Sequence, residues 1–306
     1  MSTIKKYLSL IKFSHTIFAM PFALIGFFIG VRSWHSIQSS RASLSFLAQV
    51  SIYFKENFRV FILVILCMIF ARSAAMAFNR LLDYKFDAKN PRTAIREIPS
   101  GVIKTGNALL FTIANCILFI ICCWFINILC FYLSFVALAV ILFYSYTKRF
   151  TSLCHLILGL GLSLAPIGAY LAVTGRFDIL PVLFSLAVLF WVSGFDIIYA
   201  LQDAEFDQNN KLHSIPATLG KKNALRVAKL LHFLSALCVI YAGQYGSWGY
   251  IYWVAVAIFA ALLIYQHTLV KPMDLSKVNM AFFTTNGIAS VIFCIFVLLD
   301  LFINGQ

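Results

Sequence analysis

The chain has 306 residues, of which 62% are hydrophobic and only 11% are charged, and its mean hydropathy is +0.91. Soluble domains carry about 25% charged residues, so the composition excludes an ordinary soluble protein, and the 31 Phe, 13 Tyr and 5 Trp exclude a disordered chain. The formal net charge of +13 is typical of basic loops beside a membrane, so we expect no nucleic-acid partner.

A helix needs about 20 mainly apolar residues to cross a bilayer. Nine segments meet this requirement, at 13–31, 58–78, 108–126, 128–146, 153–173, 179–199, 224–246, 249–269 and 280–303. The first follows three lysines, as a signal peptide does, but it lacks a small-x-small cleavage site and is interpreted as a retained span. We therefore predict an all-α membrane protein with a central cavity, formed as a single domain by residues 1–306.

The distribution of Lys and Arg predicts the orientation in the membrane. With the N-terminus placed inside, 18 of the 24 basic residues lie on the cytoplasmic side, five lie outside, and Arg72 lies within the second span. Cytoplasmic loops carry an excess of positive residues, so we expect a cytoplasmic N-terminus. The chain shows no organelle transit signal, and a bacterial inner membrane is the expected location.

Acidic residues cluster at the inner end of the second span. Asn79, Asp83 and Asp87 recur at intervals of four residues, and Arg92 and Arg96 follow them. Residues at i and i+4 lie on one face of a helix, so the spacing predicts a polar stripe. Arginine offers a planar fork that suits phosphate oxygens.

A second acidic stretch lies at the inner end of the sixth span. Asp203 and Asp207 repeat the spacing, Tyr199 extends the predicted stripe one turn back, and Lys211 follows. Both stretches contain D-x-x-F-D, 120 residues apart, with Ile-Pro and a glycine further on. The echo predicts two related four-helix halves plus a ninth helix, and it places both stretches on one side of the membrane.

Clustered carboxylates repel one another unless a cation lies among them. Mg²⁺ prefers oxygen ligands and is usually held by a few carboxylates together with substrate phosphates. Two facing stripes with basic neighbours therefore predict a site for Mg²⁺ and a diphosphate, with the metal ligands Asn79, Asp83, Asp87, Asp203 and Asp207. The plainer alternative is a set of solvated loop charges near the membrane surface.

Polar residues within the spans also call for an explanation. Arg72 and Asp196 lie inside apolar segments, where a charge is costly without a partner, so they either pair or face a cavity. Tyr144 and Lys148 form another i, i+4 pair at the inner end of the fourth span, although an interfacial Tyr and a snorkelling Lys are common. The histidines, His155 among them, form no metal-ligand pattern.

At these residues the chain resembles the UbiA superfamily of intramembrane prenyltransferases. The family patterns N-x-x-x-D-x-x-x-D and R-T-x-x-R stand at 79–87 and 92–96, and D-x-x-Y-A-x-x-D-x-x-x-D of its hydroxybenzoate branch stands at 196–207. Arg80 replaces the Asp that follows the Asn in many members. The resemblance is closest to 4-hydroxybenzoate polyprenyltransferases and to the related menaquinone-pathway enzyme.

The resemblance implies Mg²⁺-dependent transfer of a polyprenyl group from polyprenyl diphosphate to the ring of an aromatic acid, for ubiquinone or menaquinone biosynthesis. It implies catalytic carboxylates and substrate contacts: the carboxylates are Asp83, Asp87, Asp196, Asp203 and Asp207, and the contacts are Arg72, Asn79, Arg92, Arg96, Tyr144, Lys148, Tyr199 and Lys211. Naphthoate, homogentisate and haem are alternative acceptors. A transporter is the alternative class, although transporters usually place their sites near the bilayer midplane. Beyond the substrates and the lipid bilayer, no protein partner is expected.

Overall fold

The computed structural model describes residues 3–11, 20–37 and 44–304. Within them every regular element is a helix, apart from an isolated bridge between Lys271 and Asp274. The helices are α1 (Thr3–Leu10), α2 (Met20–Ile37), α3 (Phe46–Asp87), α4 (Thr105–Ile126), α5 (Ile128–Thr147), α6 (Cys154–Thr174), α7 (Ile179–Ala200), α8 (Ala204–Asn209), α9 (Ile215–Tyr245), α10 (Tyr250–Leu269) and α11 (Asn286–Asn304). A 3₁₀ turn (Leu201–Asp203) joins α7 to α8, and a π-helical turn (Met280–Thr285) leads into α11.

The predicted all-α membrane class is confirmed. Eight helical segments of the described chain are long and apolar enough to cross a membrane, and they match the second to ninth predicted spans. The first predicted span, 13–31, extends over residues outside the described part, and its described remainder belongs to the apolar helix α2. The chain is an integral membrane protein with multiple spans.

The long helices of the described chain form a closed ring. Each of α3 to α7 packs on the next, then α9, α10 and α11 follow, and α2 completes the ring by contacting both α11 and α3. Helix α2 also packs along α6. Short connections make α4, α5, α6 and α7 successively antiparallel, so the ends of α5 and α7 lie on the same side of the bundle as the start of α4. The kinship of two four-helix halves stays a prediction.

Glycines permit the closest contacts between these helices. A Cβ atom on Gly26 in α2 would lie 2.0 Å from the Pro166 carbonyl oxygen in α6. A Cβ atom on Gly159 in α6 would lie 2.4 Å from the Leu189 carbonyl oxygen in α7. Small residues let membrane helices approach backbone to backbone, so these two positions fix α6 between α2 and α7.

Helix α1 lies outside the predicted spans and packs against the acidic end of the bundle. Leu10 is fully buried, and the Tyr7 ring lies 4.8 Å from that of Phe111 in α4. Ser9 donates a hydrogen bond to Glu97 in the connection between α3 and α4. The N-terminal segment therefore covers part of the end where both acidic stretches lie.

Candidate active site

A cavity of about 1170 Å³ lies among α3, α4, α5, α6 and α7. Charged and polar side chains line one end of it, and apolar side chains line the remainder. All of the sequence-predicted site residues except Lys211 are in its wall. The two acidic stretches therefore converge on one end of one cavity, although 120 residues separate them.

The first acidic stretch forms the predicted stripe, because α3 continues to Asp87. Asn79 Nδ2 donates to Asp83 Oδ2 at 3.2 Å. Arg96 Nη1, from the connection after α3, donates to both carboxylate oxygens of Asp87 at 2.7 and 2.8 Å. Arg149, which the sequence analysis does not assign to the site, pairs with Asp83 Oδ1 at 3.1 Å. Each carboxylate of this stretch is thus neutralised by an arginine.

Arg92 joins the first stretch to the second. Its guanidinium forms an ion pair with Asp203, in which Nε lies 3.2 Å from Oδ1. Its Nη1 donates to Tyr199 Oη at 2.9 Å, and Asn90 Nδ2 donates to the same Asp203 oxygen at 3.2 Å. Burial acts to lower the pKa of Arg92, but Asp203 and Tyr199 outweigh it and raise the pKa above its usual value. Arg92 therefore stays a cation.

Asp207 is fully buried and ties the second stretch to two further helices. Lys148 Nζ, at the end of α5, lies 2.7 Å from Asp207 Oδ1. Ser214 Oγ, at the start of α9, donates to Oδ2 at 2.9 Å. Burial acts to lower the pKa of Lys148, but the Asp207 carboxylate outweighs it and the pKa is raised. Lys148 therefore stays a cation beside a fully buried carboxyl group.

The spacing predicted one continuous helical stripe for the second stretch, but the structure does not have it. Helix α7 ends at Ala200, and the 3₁₀ turn precedes α8. Asp203, the last residue of this turn, pairs with Arg92, whereas Asp207 in α8 pairs with Lys148. The interruption lets two neighbouring carboxylates reach cations from different segments of the chain.

The donors at this end of the cavity fit Mg²⁺. Carboxylate and amide oxygens are the ligands that Mg²⁺ prefers, and Asn79 uses its amide nitrogen on Asp83, which leaves its oxygen as a ligand. The described residues contain no group of three or more Asp, Glu, His or Cys side chains that encloses a metal. Mg²⁺ is commonly held by one or two carboxylates together with substrate phosphates.

Two arginines of α3 present unsatisfied nitrogens in the cavity wall. Arg72 Nε, and both Nε and Nη1 of Arg80, are buried without hydrogen-bond partners in the described part of the chain. Arg80 is only 5% exposed, and a buried cation without a partner is costly. The charges nearest Arg80 include Arg96, Asp87 and Glu97, so it belongs to the charged end. Both guanidiniums are suited to anionic groups of a ligand.

An aromatic wall adjoins the charged end. The Tyr199 ring stacks on that of Phe282 with centroids 4.2 Å apart, and the Phe283 ring meets Tyr199 edge-on at 5.9 Å. Phe195, one turn before Tyr199, lies 5.3 Å from Phe282. Phe282 and Phe283 come from the π-helical turn, a form that often occurs at functional sites. Such rings stabilise a desolvated cation by about 2 kcal/mol.

Asp196 lies two turns before Asp203 and has a partner that the sequence did not indicate. The expected candidate was Arg72, but His155 Nδ1, at the start of α6, lies 2.6 Å from Asp196 Oδ2. Tyr144, on α5, has both Asp196 and Asp83 among its charged neighbours. These groups line the cavity below the charged end.

Lys211 lies apart from the other predicted residues. It is exposed, adopts a left-handed conformation with φ of 56° in the turn after α8, and is not in the cavity wall. The turn reverses the chain, so Ser214 rather than Lys211 meets Asp207. We therefore leave Lys211 out of the proposed site.

The cavity is long. Its wall extends along α3 from Asp83 to Val64, which corresponds to about 28 Å at 1.5 Å per residue. Phe119 and Ile126 of α4 line the far end. The hydrocarbon core of a bilayer is about 30 Å thick, so the cavity fits an amphiphile with a charged head and a long apolar tail.

Comparison with known proteins agrees with this geometry. The model described as the UbiA prenyltransferase family matches residues 19–288. The chain belongs to the UbiA prenyltransferase family. It is therefore an enzyme, and the resemblance carried by the acidic motifs is confirmed.

Relatives and solved structures extend the match. The 4-hydroxybenzoate octaprenyltransferase of Francisella tularensis subsp. mediasiatica is 30% identical over 227 residues, which cover 74% of this chain and 80% of that protein. The enzyme of the same name from Tolumonas auensis is 32% identical, over 72% of this chain and 77% of its own. The apo UbiA homologue of Aeropyrum pernix superposes with a TM-score of 0.77 at 28% identity, covering 94% of this chain and 98% of that one. A UbiA homologue of Archaeoglobus fulgidus bound to DMAPP and Mg²⁺ shares the fold, with a TM-score of 0.73 at 20% identity over 97% and 99% of the chains.

Proposed function

We propose that this enzyme transfers a polyprenyl group from polyprenyl diphosphate to the ring of a hydroxylated aromatic acid, with Mg²⁺ as cofactor. The observation that carries the proposal is the convergence of two acidic stretches and their basic partners at one end of an otherwise apolar cavity. The names of the Francisella and Tolumonas relatives favour a 4-hydroxybenzoate acceptor. The Archaeoglobus homologue, bound to DMAPP and Mg²⁺, supports a metal-dependent diphosphate donor.

The ion pairs of the charged end are proposed to exchange partners when the donor binds. Arg92, Arg96 and Lys148 pair with carboxylates in the structure, and we assign them to phosphate oxygens in the complex. Arg80, which has buried nitrogens without a partner, joins them there. The carboxylates are then available for Mg²⁺, which supplies neutralisation of the charge that develops on the leaving diphosphate. Preorganised groups of this kind are typically worth about 3 kcal/mol each.

The reaction breaks one C–O bond, forms one C–C bond and moves one proton. The allylic C–O bond breaks to release diphosphate, and a C–C bond forms between the allylic carbon and the acceptor ring beside its hydroxyl. The ring proton at that carbon passes to the Asp196 carboxylate. Tyr199, Phe282 and Phe283 border the reacting end and exclude water from the allylic cation.

The acceptor is assigned to the level of Arg72 and Asp196. Arg72 precedes Asn79 by seven residues of α3 and so lies about 10 Å deeper along that helix. Asp196 lies within α7, ahead of the turn that contains Asp203. A guanidinium with an unsatisfied nitrogen and a carboxylate that accepts hydrogen bonds match a ligand with both an acid and a hydroxyl group. We assign the acceptor carboxylate to Arg72 and its hydroxyl to Asp196.

The product of this transfer is a precursor of an isoprenoid quinone, ubiquinone or menaquinone. We place the charged end of the cavity on the cytoplasmic side of a bacterial inner membrane, with the N-terminus on that side. The excess of Lys and Arg in the loops of this end supports the orientation.

The decisive experiment offers purified protein geranyl diphosphate, Mg²⁺ and a panel of acceptors. We expect the protein to prenylate 4-hydroxybenzoate and to release diphosphate, to stop in excess EDTA, and to resume when Mg²⁺ is restored. The panel includes a dihydroxynaphthoate, homogentisate and haem, so that preference for one of them identifies another acceptor class. Transfer to no member of the panel would contradict the proposed function, and an undiminished rate in EDTA would contradict the role of the metal.

Replacing Arg72 by methionine is expected to raise the KM for 4-hydroxybenzoate about 10- to 100-fold, because a hydrogen bond to a charged group is worth about 1.5–3 kcal/mol. The KM for geranyl diphosphate should change little, since Arg72 lies below the charged end. Steady-state kinetics with each substrate varied in turn measure both constants. Phenol, which lacks the carboxylate, serves as the matched acceptor: Arg72→Met and the wild type should use it equally well. If Arg72→Met also lost activity toward phenol, the assignment of the acceptor carboxylate to Arg72 would be contradicted.

A further inference from the structure

His155 is a buried polar residue of the cavity wall that no motif indicates. Its side chain is 3% exposed, and Nδ1 lies 2.6 Å from Asp196 Oδ2. Asp196 forms no ion pair with Lys or Arg in the described chain, in contrast to Asp83, Asp87, Asp203 and Asp207. Its environment therefore differs from that of the four carboxylates that face the diphosphate.

The second nitrogen of His155 identifies the tautomer. The backbone N–H of Ile215 donates to His155 Nε2 at 3.3 Å, and a ring nitrogen that accepts a hydrogen bond carries no proton. The proton of the neutral ring must then lie on Nδ1 and point at Asp196. Ile215 is the first residue of α9, where backbone N–H groups lack intrahelical partners. The start of α9 thus uses one such donor to orient the imidazole.

The same short segment orients two carboxylates, Asp207 and Asp196. Ser214 Oγ donates to Asp207, and Ile215 reaches Asp196 through His155. His213 N donates to the Lys148 carbonyl oxygen at 2.7 Å, which anchors the segment to the end of α5. Asp207 at the charged end and Asp196 at the acceptor level are therefore held by adjacent residues of one turn.

We propose that His155 is a positioning residue that orients the Asp196 carboxylate toward the acceptor ring. The inference rests on the proposed transfer to an aromatic acid. The Nδ1–H bond occupies Oδ2 and leaves Oδ1 for the acceptor, where it accepts the hydrogen bond of the hydroxyl and then the proton that leaves the ring. His155 gains and loses no proton in this step. The proton on Asp196 passes to water when the product leaves.

The contrasting explanation is that His155 only ties α6 to α7 and α9. A glutamine at position 155 distinguishes the positioning role from this packing role. Its amide nitrogen can donate to Asp196 while its amide oxygen accepts from the Ile215 N–H. Leucine has a similar size and supports neither bond. A role confined to packing would be satisfied by leucine, whereas positioning of Asp196 requires the donor.

The experiment measures kcat and both KM values with geranyl diphosphate and 4-hydroxybenzoate for His155→Leu, His155→Gln, Asp196→Asn and the double variant His155→Leu/Asp196→Asn. We expect His155→Leu to lower kcat about 10- to 100-fold, as loss of an orienting partner does elsewhere, with the donor KM within about twofold. His155→Gln should recover most of kcat. In the double variant, His155→Leu should lower kcat little beyond the loss caused by Asp196→Asn, because the effects of substituting two residues that act together are not additive.

His213 anchors the segment through its backbone N–H, which His213→Gln retains, and its side chain is exposed. His213→Gln is therefore the matched control and should leave kcat unchanged. Thermal unfolding and size-exclusion profiles measure the folded fraction of each variant. The inference is overturned if His155→Leu keeps wild-type kcat, if His155→Gln is as slow as His155→Leu, or if the slowing matches the loss of folded protein. A wild type that prenylates no aromatic acid would instead overturn the proposed function, and the role of His155 with it.

Discussion

Asparagine in place of Asp203 is expected to reduce kcat/KM for prenyl transfer about 10³-fold, the upper range for losing one preorganised charge-stabilising group. Asn has the same shape, but it cannot neutralise Arg92 in the empty site or bind Mg²⁺ with a full negative charge. The ion pair with Arg92 and the contact with Asn90 place Asp203 where the two acidic stretches meet. A coupled assay for released diphosphate, run across both substrate concentrations, measures the effect.

Glu205 offers a matched control within the same stretch. It lies between Asp203 and Asp207 in sequence, yet its side chain is 83% exposed and its partner is Lys221. Glu205→Gln removes the same charge and should leave transfer within about twofold, since exposed ion pairs contribute little. If Asp203→Asn retained full activity, or if Glu205→Gln were equally impaired, the assignment of the diphosphate to the cavity end would fail.

Hydropathy and helical spacing predicted the parts of the protein that depend on local sequence. The second to ninth spans follow from the length of apolar chain that a bilayer requires. The stripe of Asn79, Asp83 and Asp87 follows from the helical period, because α3 has no interruption there. The only break within α3 lies far away, at Asn57. Where a helix is continuous, residue spacing alone places the side chains.

The second stretch shows where that reasoning stops. Spacing treats residues 199–207 as one helix, but α7 ends and a 3₁₀ turn intervenes. Nothing in Leu201 or Gln202 excludes a helix, since both are good helix formers. The end of α7 coincides with contacts to Arg92 and Lys148, which come from segments distant in sequence. Tertiary contacts of this kind leave no local signal.

For other residues of the site, the sequence gives little or no indication of a functional role. Phe282 and Phe283 are two of 31 phenylalanines, and only the meeting of the π-helical turn with α7 distinguishes them. His155 and Asp196 are 41 residues apart and share no motif. His155 is nevertheless a polar residue at the start of an apolar span, and polar residues within spans often mark functional sites.

Methionine in place of Lys148 is expected to impair both the fold and the reaction, and a second substitution separates the two effects. Asp207 is fully buried, so loss of the ammonium leaves a carboxylate with Ser214 as its remaining side-chain donor in the described chain. Breaking a buried pair from one side costs about 3–5 kcal/mol, and we expect about 3 kcal/mol because Lys148 is one-third exposed. Thermal unfolding in detergent measures the loss.

Lys221 is the control for this experiment, because its side chain is 33% exposed, as is that of Lys148, but its partner Glu205 is 83% exposed. Lys221→Met should cost less than about 1 kcal/mol.

The double variant Lys148→Met/Asp207→Asn removes the uncompensated charge and should regain most of the stability lost in Lys148→Met. It lacks both a phosphate-binding cation and a metal-binding carboxylate, so transfer should stay reduced about 10³-fold or more. Recovery of activity in step with stability would mean that the pair only supports the fold. Stability restored without activity would mean that the Lys148–Asp207 pair serves diphosphate binding, for which both residues are needed, rather than the fold.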